Sequence, residues 1–247
     1  MPRRPHGSAP RLVRALLVLF AFAALQTPAQ KLMTGNNASF NSLEEELLQE
    51  INLARTSPAR YAEYLEQTRA YYAGKELRRP GKSLLTQEGV DALEEAVRFL
   101  RAAKPLPPLQ LSKGMCAGAR ELVTDQSATG ATGHRGADGS FCETRVERFG
   151  SWADPIGENL SYGTETARER ILLFIVDDGV ANRGHRQRIF DPRFKVAGVA
   201  CGPHKEGPLC VLTFAGGFNE HAAPGQRPAN SKSPAAKRQL PSGATQF

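Results

Sequence analysis

The sequence predicts an α+β fold: a three-layer α-β-α sandwich with helices on both sides of a small central antiparallel sheet. Three observations carry this. Five stretches space their apolar residues three or four apart, as one face of a helix requires. Two runs near the end, "FKVAGVACG" and "LCVLTFAGGF", alternate as antiparallel strands do. The glycine-rich stretch "ATGATGHRGADGS" interrupts the helical segments as a connecting loop.

The first helix opens at Ser42, three residues before Glu45, as a capping box does; Leu43, Leu47, Ile51 and Ala54 follow at helical spacing. Ser57 caps a second helix with Pro58 at its first position, and Tyr61, Tyr64, Leu65 and Thr68 line one side. "GKELRRPGKS" reads as a loop. Thr86 starts a third helix with a stripe of Val90, Leu93, Val97 and Leu100, ended by "KPLPP". Ser112 caps a fourth, with Met115, Ala119, Leu122 and Val123 facing inward. Ser140 starts a short helical turn through Val146 and Phe149. "GENLSYG" is a short strand or extended link, and "ETARERILLFIVDD" is a fifth long helix.

The 247 residues, 40% of them hydrophobic, suffice for one domain. Residues 1–29 read as a secretory signal peptide. Arg3, Arg4, Arg11 and Arg14 precede an apolar core, Ala15 to Leu25, that is shorter than the roughly 20 residues a membrane span needs. Thr27 and Ala29 supply small residues for cleavage; an uncleaved anchor is the alternative. Residues 30–41 are a flexible segment, 42–220 the domain, and 221–247 a disordered basic tail with little to bury. The expected location is therefore outside the cytoplasm, extracellular or periplasmic, with no transmembrane segment in the mature chain.

The formal charge of +7 resides at the ends. Four arginines in residues 1–29, and Arg227, Lys232, Lys237 and Arg238 in the tail, have no acids among them. Setting these eight aside leaves −1 for residues 30–220. A near-neutral domain gives no basis for a nucleic-acid partner. The sequence sets no oligomeric state.

Cys116, Cys142, Cys201 and Cys210 make an even count in a chain read as exported, which argues for two disulfides. Cys201 and Cys210 flank "GPHKEGPL" between the two strands and are expected to bridge a hairpin. That leaves Cys116 with Cys142, or a pair of free buried thiols. Each bridge would add about 2–4 kcal/mol.

Two histidines share a setting: His134 in "TGHRGADGS" and His185 in "NRGHRQR" both follow glycine and precede arginine, outside any apolar helix face. Glu158 follows Gly157 just before an apolar run. Asp177 and Asp178 stand at the end of the oily helix, where the macrodipole disfavours negative charge. The alternative role of these two is capping, or pairing with Arg183 or Arg186. Two imidazoles with carboxylates can hold a divalent cation such as Zn²⁺, the acids acting as ligands or orienting the rings. The same groups can instead form a closed network that positions loops. No HExxH helix and no nucleophile elbow occurs, so a serine or cysteine hydrolase is not expected.

"GHRGADGS", "GENLSYG" and "DDGVANRGHRQRIFDPRFKVAGVACG", in that order, resemble the CAP superfamily, the SCP-like extracellular domains of cysteine-rich secretory, venom-antigen and pathogenesis-related proteins. "INLARTSPARYA" and "KPLPPLQLS" are similar to its bacterial branch. The resemblance covers about residues 43–218 and implies the same α-β-α sandwich. It also implies a central cleft lined by two histidines and two acids. By motif, His134, Glu158 and His185 take three places. The fourth, usually Glu, falls to Asp177 or Asp178; Asp178, seven residues ahead of His185, is the expected one. The insert between the first and third helices lies outside the minimal domain. Relatives are linked to sterol and fatty-acid binding, divalent-metal binding and proteolysis.

The first expectation is thus a secreted binding module without turnover. Its cleft holds a divalent cation on His134 and His185 and a lipid or cell-envelope ligand nearby. The second is a metal-dependent, peptidase-like hydrolase with Glu158 as general base on a bound water. The third is a structural domain that displays a surface to partner proteins.

Overall fold

The computed structural model describes residues 42–221. The expected signal peptide, the segment 30–41 and all but the first residue of the tail lie outside them. Helix α1 (Ser42–Thr56) buries Leu47, Ile51 and Ala54 on one side, as its spacing requires. Helix α2 (Pro58–Thr68) follows with Pro58 at its start and Tyr61, Ala62 and Leu65 buried; Ser57 makes no side-chain cap. A short 3-10 turn (Arg69–Tyr71) leads into the first departure from the sequence reading.

The stretch read as a loop is a small antiparallel sheet: β1 (Tyr72–Ala73), β2 (Glu76–Arg79) and β3 (Lys82–Leu85), in that order. Gly74 and Gly81, at φ 62° and 74°, supply the left-handed turns that reverse the chain. Strands of four residues, half of them charged, carry too little alternation to be recognised. Thr86 does not start the third helix. Its N–H and hydroxyl both donate to the Lys75 carbonyl, and α3 begins at Val90 (Val90–Ala102).

The main sheet contains β4 (Gln110–Leu111), β5 (Gly150–Ser161), β6 (Val196–Gly202) and β7 (Leu209–Glu220), in the order β4-β6-β7-β5. Three of the strands are antiparallel as expected, but the two-residue β4 pairs parallel to β6. Strand alternation divides the core in two. Ala197, Val199, Cys201, Cys210, Leu212 and Phe214 pack with α1, α2, α3 and two later helices, α6 (Ala167–Val176) and α7 (Gly184–Phe190). On the other face, Ala200, Leu209 and Val211 meet Ala119, Leu122 and Val123 of α4 (Lys113–Thr129). Ala215 meets Met115 of α4 and Val146 of α5 (Cys142–Glu147). The result is the α+β, three-layer sandwich.

α4 starts as expected, with the Ser112 side chain accepting the Met115 N–H. It lies so close to the sheet at Gly198 that a Cβ there would come within 2.3 Å of the Met115 carbonyl carbon. Arg55, fully buried on α1, donates to the carbonyls of Pro107, Ile189 and Phe194 at 2.6–3.0 Å. It thereby fixes the end of α7 against α1. No helix among the described residues is long and apolar enough to cross a membrane.

Cys201 and Cys210 are disulfide-bonded across the β6–β7 hairpin, where they are register partners. The expected Cys116–Cys142 bridge is absent; both thiols are free. Cys116 lies against the sheet and accepts the Val199 N–H at 3.3 Å, whereas Cys142, at the start of α5, lies 3.4 Å from a Glu143 carboxylate oxygen. Pairing by elimination fails because a small apolar thiol packs well without a partner.

Candidate functional site

His134 sits on the loop after α4, which ends with Gly130 at φ 68°. The loop is held from four sides. Buried Gln126 donates to the Gly133 carbonyl at 2.6 Å. The Tyr162 hydroxyl accepts the Gly133 N–H and donates to Gln126 Oε1. Arg145, 1% exposed, donates to the carbonyls of His134 and Ser140 at 3.1 and 2.9 Å. His204, on the disulfide-closed hairpin, reaches the Ala131 carbonyl with Nε2 at 3.0 Å.

The loop so held places His134 Nδ1 3.0 Å from Glu158 Oε2, while Glu158 Oε1 lies 2.6 Å from Arg145 Nη2. The Glu158 and Arg145 side chains are 2% and 1% exposed, the His134 ring 43%. A carboxylate only accepts, so Nδ1 carries the proton in this pair and Nε2 is left for solvent or a ligand. The Cys142 thiol nearby is pushed up in pKa by burial and then by the Glu158 charge.

His185 is positioned by Asp177, the first of the two aspartates that follow α6. Asp177 is the left-handed C-cap of that helix, at φ 53°. The turn carries its carboxylate away from the negative end of α6 and onto the first turn of α7. There Oδ2 accepts the N–H of His185 at 2.8 Å and of Arg186 at 3.3 Å, and Oδ1 lies 2.6 Å from His185 Nδ1. Phe174 stacks on the ring, centroids 5.2 Å apart. Asp178, the acid expected in the cleft, is elsewhere: it accepts the N–H groups of Gln87 and Glu88 ahead of α3. The buried acid that orients His185 is Asp177.

Both pairs are connected to β5, an edge strand of the main sheet. Glu158 and Asn159 are consecutive there, so their side chains leave on opposite faces. Glu158 reaches back to His134, and Asn159 donates from Nδ2 to the His185 carbonyl at 3.2 Å. Asn159 Oδ1 also accepts Arg188 Nη1 at 3.4 Å. His134 with Glu158 and His185 with Asp177 thus flank one strand, each ring tied through Nδ1 and each presenting Nε2. Arg145, Asn159 and Arg188 belong to the site and were not singled out in the sequence. Asn159 and Arg188 stand inside the quoted motifs; Arg145, in "ETRVERF", carries no signal that separates it from a surface arginine.

Both acids act here as ring orienters, in the manner of a metal site's outer shell. Among the described residues no group of three or more His, Cys, Asp and Glu side chains is placed to hold a metal ion. Among the described residues, no Ser, Thr or Cys side chain is hydrogen-bonded to either Nε2.

The sequence model of the cysteine-rich secretory protein family, CAP, matches residues 60–214. The chain belongs to this family. No curated protein matches the CAP chain. Among solved structures, it is similar to an extracellular protein containing an SCP domain from Bacillus anthracis, at 18% identity and a TM-score of 0.36, over 44% of this chain and 34% of that one. It is also similar to an outer surface protein from Borrelia burgdorferi, at 14% identity and a TM-score of 0.38, over 44% of this chain and 78% of that one. A cysteine-rich secretory protein from Staphylococcus aureus matches at 13% identity and a TM-score of 0.33, over 52% of this chain and 38% of that one. The CAP chain therefore spans about a third of the length of the Bacillus protein.

Proposed function

We propose that this CAP protein is an exported binding module whose cleft takes a cell-envelope or lipid ligand at the two Nε2 edges, without turnover. The observation that carries the reading is the state of Glu158: buried, with one oxygen on His134 and the other on Arg145. A general base needs an oxygen facing the substrate, and Asp177 is equally committed, to two N–H groups and a ring. Export is supported by the signal-like N-terminus and by the secretory character of the family.

A divalent cation such as Zn²⁺ would be held by Nε2 of His134 and His185, and would supply a positive centre that the ligand or water completes. Two protein donors make this an exchangeable ion rather than a tightly held one.

The test is ligand screening of the full chain against lipids and envelope polymers, with zinc titration in parallel. The expected result is a ligand lost in the His134→Ala, His185→Ala double variant, with weak zinc binding lost in the same variant. Cleavage of a peptide, ester or glycan by the purified protein, abolished in Glu158→Gln, would overturn the reading in favour of a hydrolase.

A further inference from the structure

The outer edge of β5 carries hydrogen-bonding groups that the fold does not use. In an antiparallel strand the N–H and C=O of one residue point to the same side, and the side alternates from residue to residue. Contacts outside the β6–β7 pairing fix the sides of β6. The Ala197 carbonyl accepts the Ser112 N–H, the Val199 N–H meets Cys116 Sγ, and the Cys201 N–H donates to Glu44. These residues therefore face away from β7, and Val196, Gly198 and Ala200 bond to it. Their register partners Ala215, Thr213 and Val211 are committed to β6, so Phe214, Leu212 and Cys210 face β5. Opposite these stand Gly157, Asn159 and Ser161. Ile156, Glu158 and Leu160 are left with N–H and C=O directed out of the sheet.

β5 is the last strand of its sheet, and among the described residues no loop or helix backbone bonds to these groups. Glu158 is buried, and Ile156, Gly157 and Leu160 are half-buried. Backbone groups so withdrawn from water are nearly always hydrogen-bonded. An extended chain laid alongside completes an edge of this kind.

The charge beside the edge says what that chain should carry. Arg145, Arg183 and Arg186 meet carboxylates. Half-buried Arg188 has one hydrogen bond, at 3.4 Å, to the neutral Asn159 amide oxygen. A guanidinium withdrawn from water recovers its lost hydration from an anion or a set of carbonyls. A Cβ on Gly157 would come within 3.0 Å of Arg188 Nε and 3.1 Å of Cδ, so this side chain lies on the face of β5 to which Gly157 belongs. Residues directly opposite in paired strands put their side chains on the same face, about 5 Å apart at Cβ. The residue of an added strand that stands opposite Gly157 therefore directs its side chain towards Arg188.

We propose that the β5 edge from Ile156 to Leu160 takes an extended peptide as an added strand, with an aspartate or glutamate of that peptide on Arg188. The inference rests on the binding-module reading and names its ligand as an acidic peptide segment.

The test is titration of the full chain, treated with chelator, with blocked seven-residue peptides of Thr and Val around a central Glu. The same peptides with Gln at the centre are the control. The Glu peptides should bind at least about tenfold more tightly. Arg188→Gln should remove that preference and leave the Gln peptides unchanged, and Arg188→Lys should recover part of it.

Hydrogen exchange followed by ¹H–¹⁵N spectra locates the strand. Bound peptide should slow the amides of Ile156, Glu158 and Leu160, while those of Gly157 and Asn159, already bonded to β7, keep their rates. N-methyl groups on one alternating set of peptide amides should abolish binding, and on the other set should leave it.

No peptide binding, equal affinity for the Glu and Gln peptides, or a Glu preference kept in a folded Arg188→Gln variant overturns the proposal. So does protection of the Ile156, Glu158 and Leu160 amides before peptide is added. Protection independent of protein concentration would assign the edge to the chain's own terminal residues, and protection that rises with concentration to a second copy. A lipid or polymer from the wider screen that depends on His134 and His185 would in those events leave the binding-module reading standing. Fragments of the bound peptide, absent with Glu158→Gln, would overturn that reading and support the strand site.

Discussion

Asp177 and His185 are joined twice: Oδ2 of the aspartate accepts the histidine N–H at 2.8 Å, and Oδ1 lies 2.6 Å from the ring Nδ1. The aspartate is 4% exposed and takes the left-handed conformation at the end of α6. One buried carboxylate thus stops one helix, starts the next and sets which ring nitrogen faces the cleft.

The two adjacent aspartates should therefore separate cleanly. Asp177→Asn keeps an acceptor for the backbone and tolerates the left-handed turn, but it loses the charge and frees the ring tautomer. We expect a stability loss of about 1–2 kcal/mol and loss of cleft ligand binding. Asp178→Asn weakens two N–H contacts ahead of α3 and should cost about 0.5–1 kcal/mol with binding intact. Urea unfolding and ligand titration of both variants check this; equal loss of binding in the two would return Asp178 to the cleft.

Arg145 is the positive charge beneath the other pair. Arg145→Met leaves Glu158 buried without its counter-charge and removes two carbonyl contacts to the His134 loop. The expected cost is about 3–5 kcal/mol. Adding Glu158→Gln removes the stranded charge, so the double variant should be more stable than Arg145→Met alone. A double-mutant cycle by urea unfolding measures the coupling. Strictly additive losses would mean that the two side chains do not interact as described.

The main elements were legible because each long helix buries a regular stripe and β6 and β7 alternate between two cores. Legibility failed where position in space replaces local pattern. The β1–β3 sheet is held by left-handed glycines and by contacts such as Arg79 with Glu169, none of which writes a period into the sequence. The cleft residues His134, Glu158 and His185 stand in recognisable motifs. Choosing between Asp177 and Asp178 required the φ of one residue, because reversing the chain at Asp177 interchanges what the two carboxylates face. Arg145 was hidden because its partners, Glu158 and the carbonyls of His134 and Ser140, are brought to it by the turn between α4 and β5.

Acid should loosen the contact between α3 and the loop ahead of α7. The hydrogen bonds from Arg183 and from the Gly179 N–H hold the Glu88 carboxyl at about 2, below its ordinary 4.5. Arg186 also holds Glu95 below the usual carboxylate range. A carboxyl depressed in the folded state contributes stability that is fully present above its unfolded pKa and is lost as pH falls through the folded one. Glu88 therefore contributes above about 4.5, and its contribution disappears as pH falls towards 2. Glu88→Gln should flatten the acid limb of the stability curve in that window and leave the neutral limb with the same slope. Unfolding midpoints measured from pH 6 downward test it; parallel acid limbs would contradict the Arg183 contact.

The cysteines offer a chemical count of the same architecture. Burial pushes the Cys116 thiol up to about 11, and burial together with Glu158 raises Cys142 further. The thiolate is the reactive form, so neither thiol should react appreciably near pH 8 while the chain is folded. Unfolding without reductant should release two thiols, Cys116 and Cys142, because Cys201–Cys210 stays closed. Unfolding with reductant should release all four cysteines. No thiol on unfolding without reductant would mean that Cys116 and Cys142 are paired after all. Rapid labelling of Cys142 in the folded chain would mean that α5 opens, and with it the seat of Arg145. The His134 signal should then shift in the labelled protein, because Arg145 donates to the carbonyl of that residue and to the carboxylate that orients its ring.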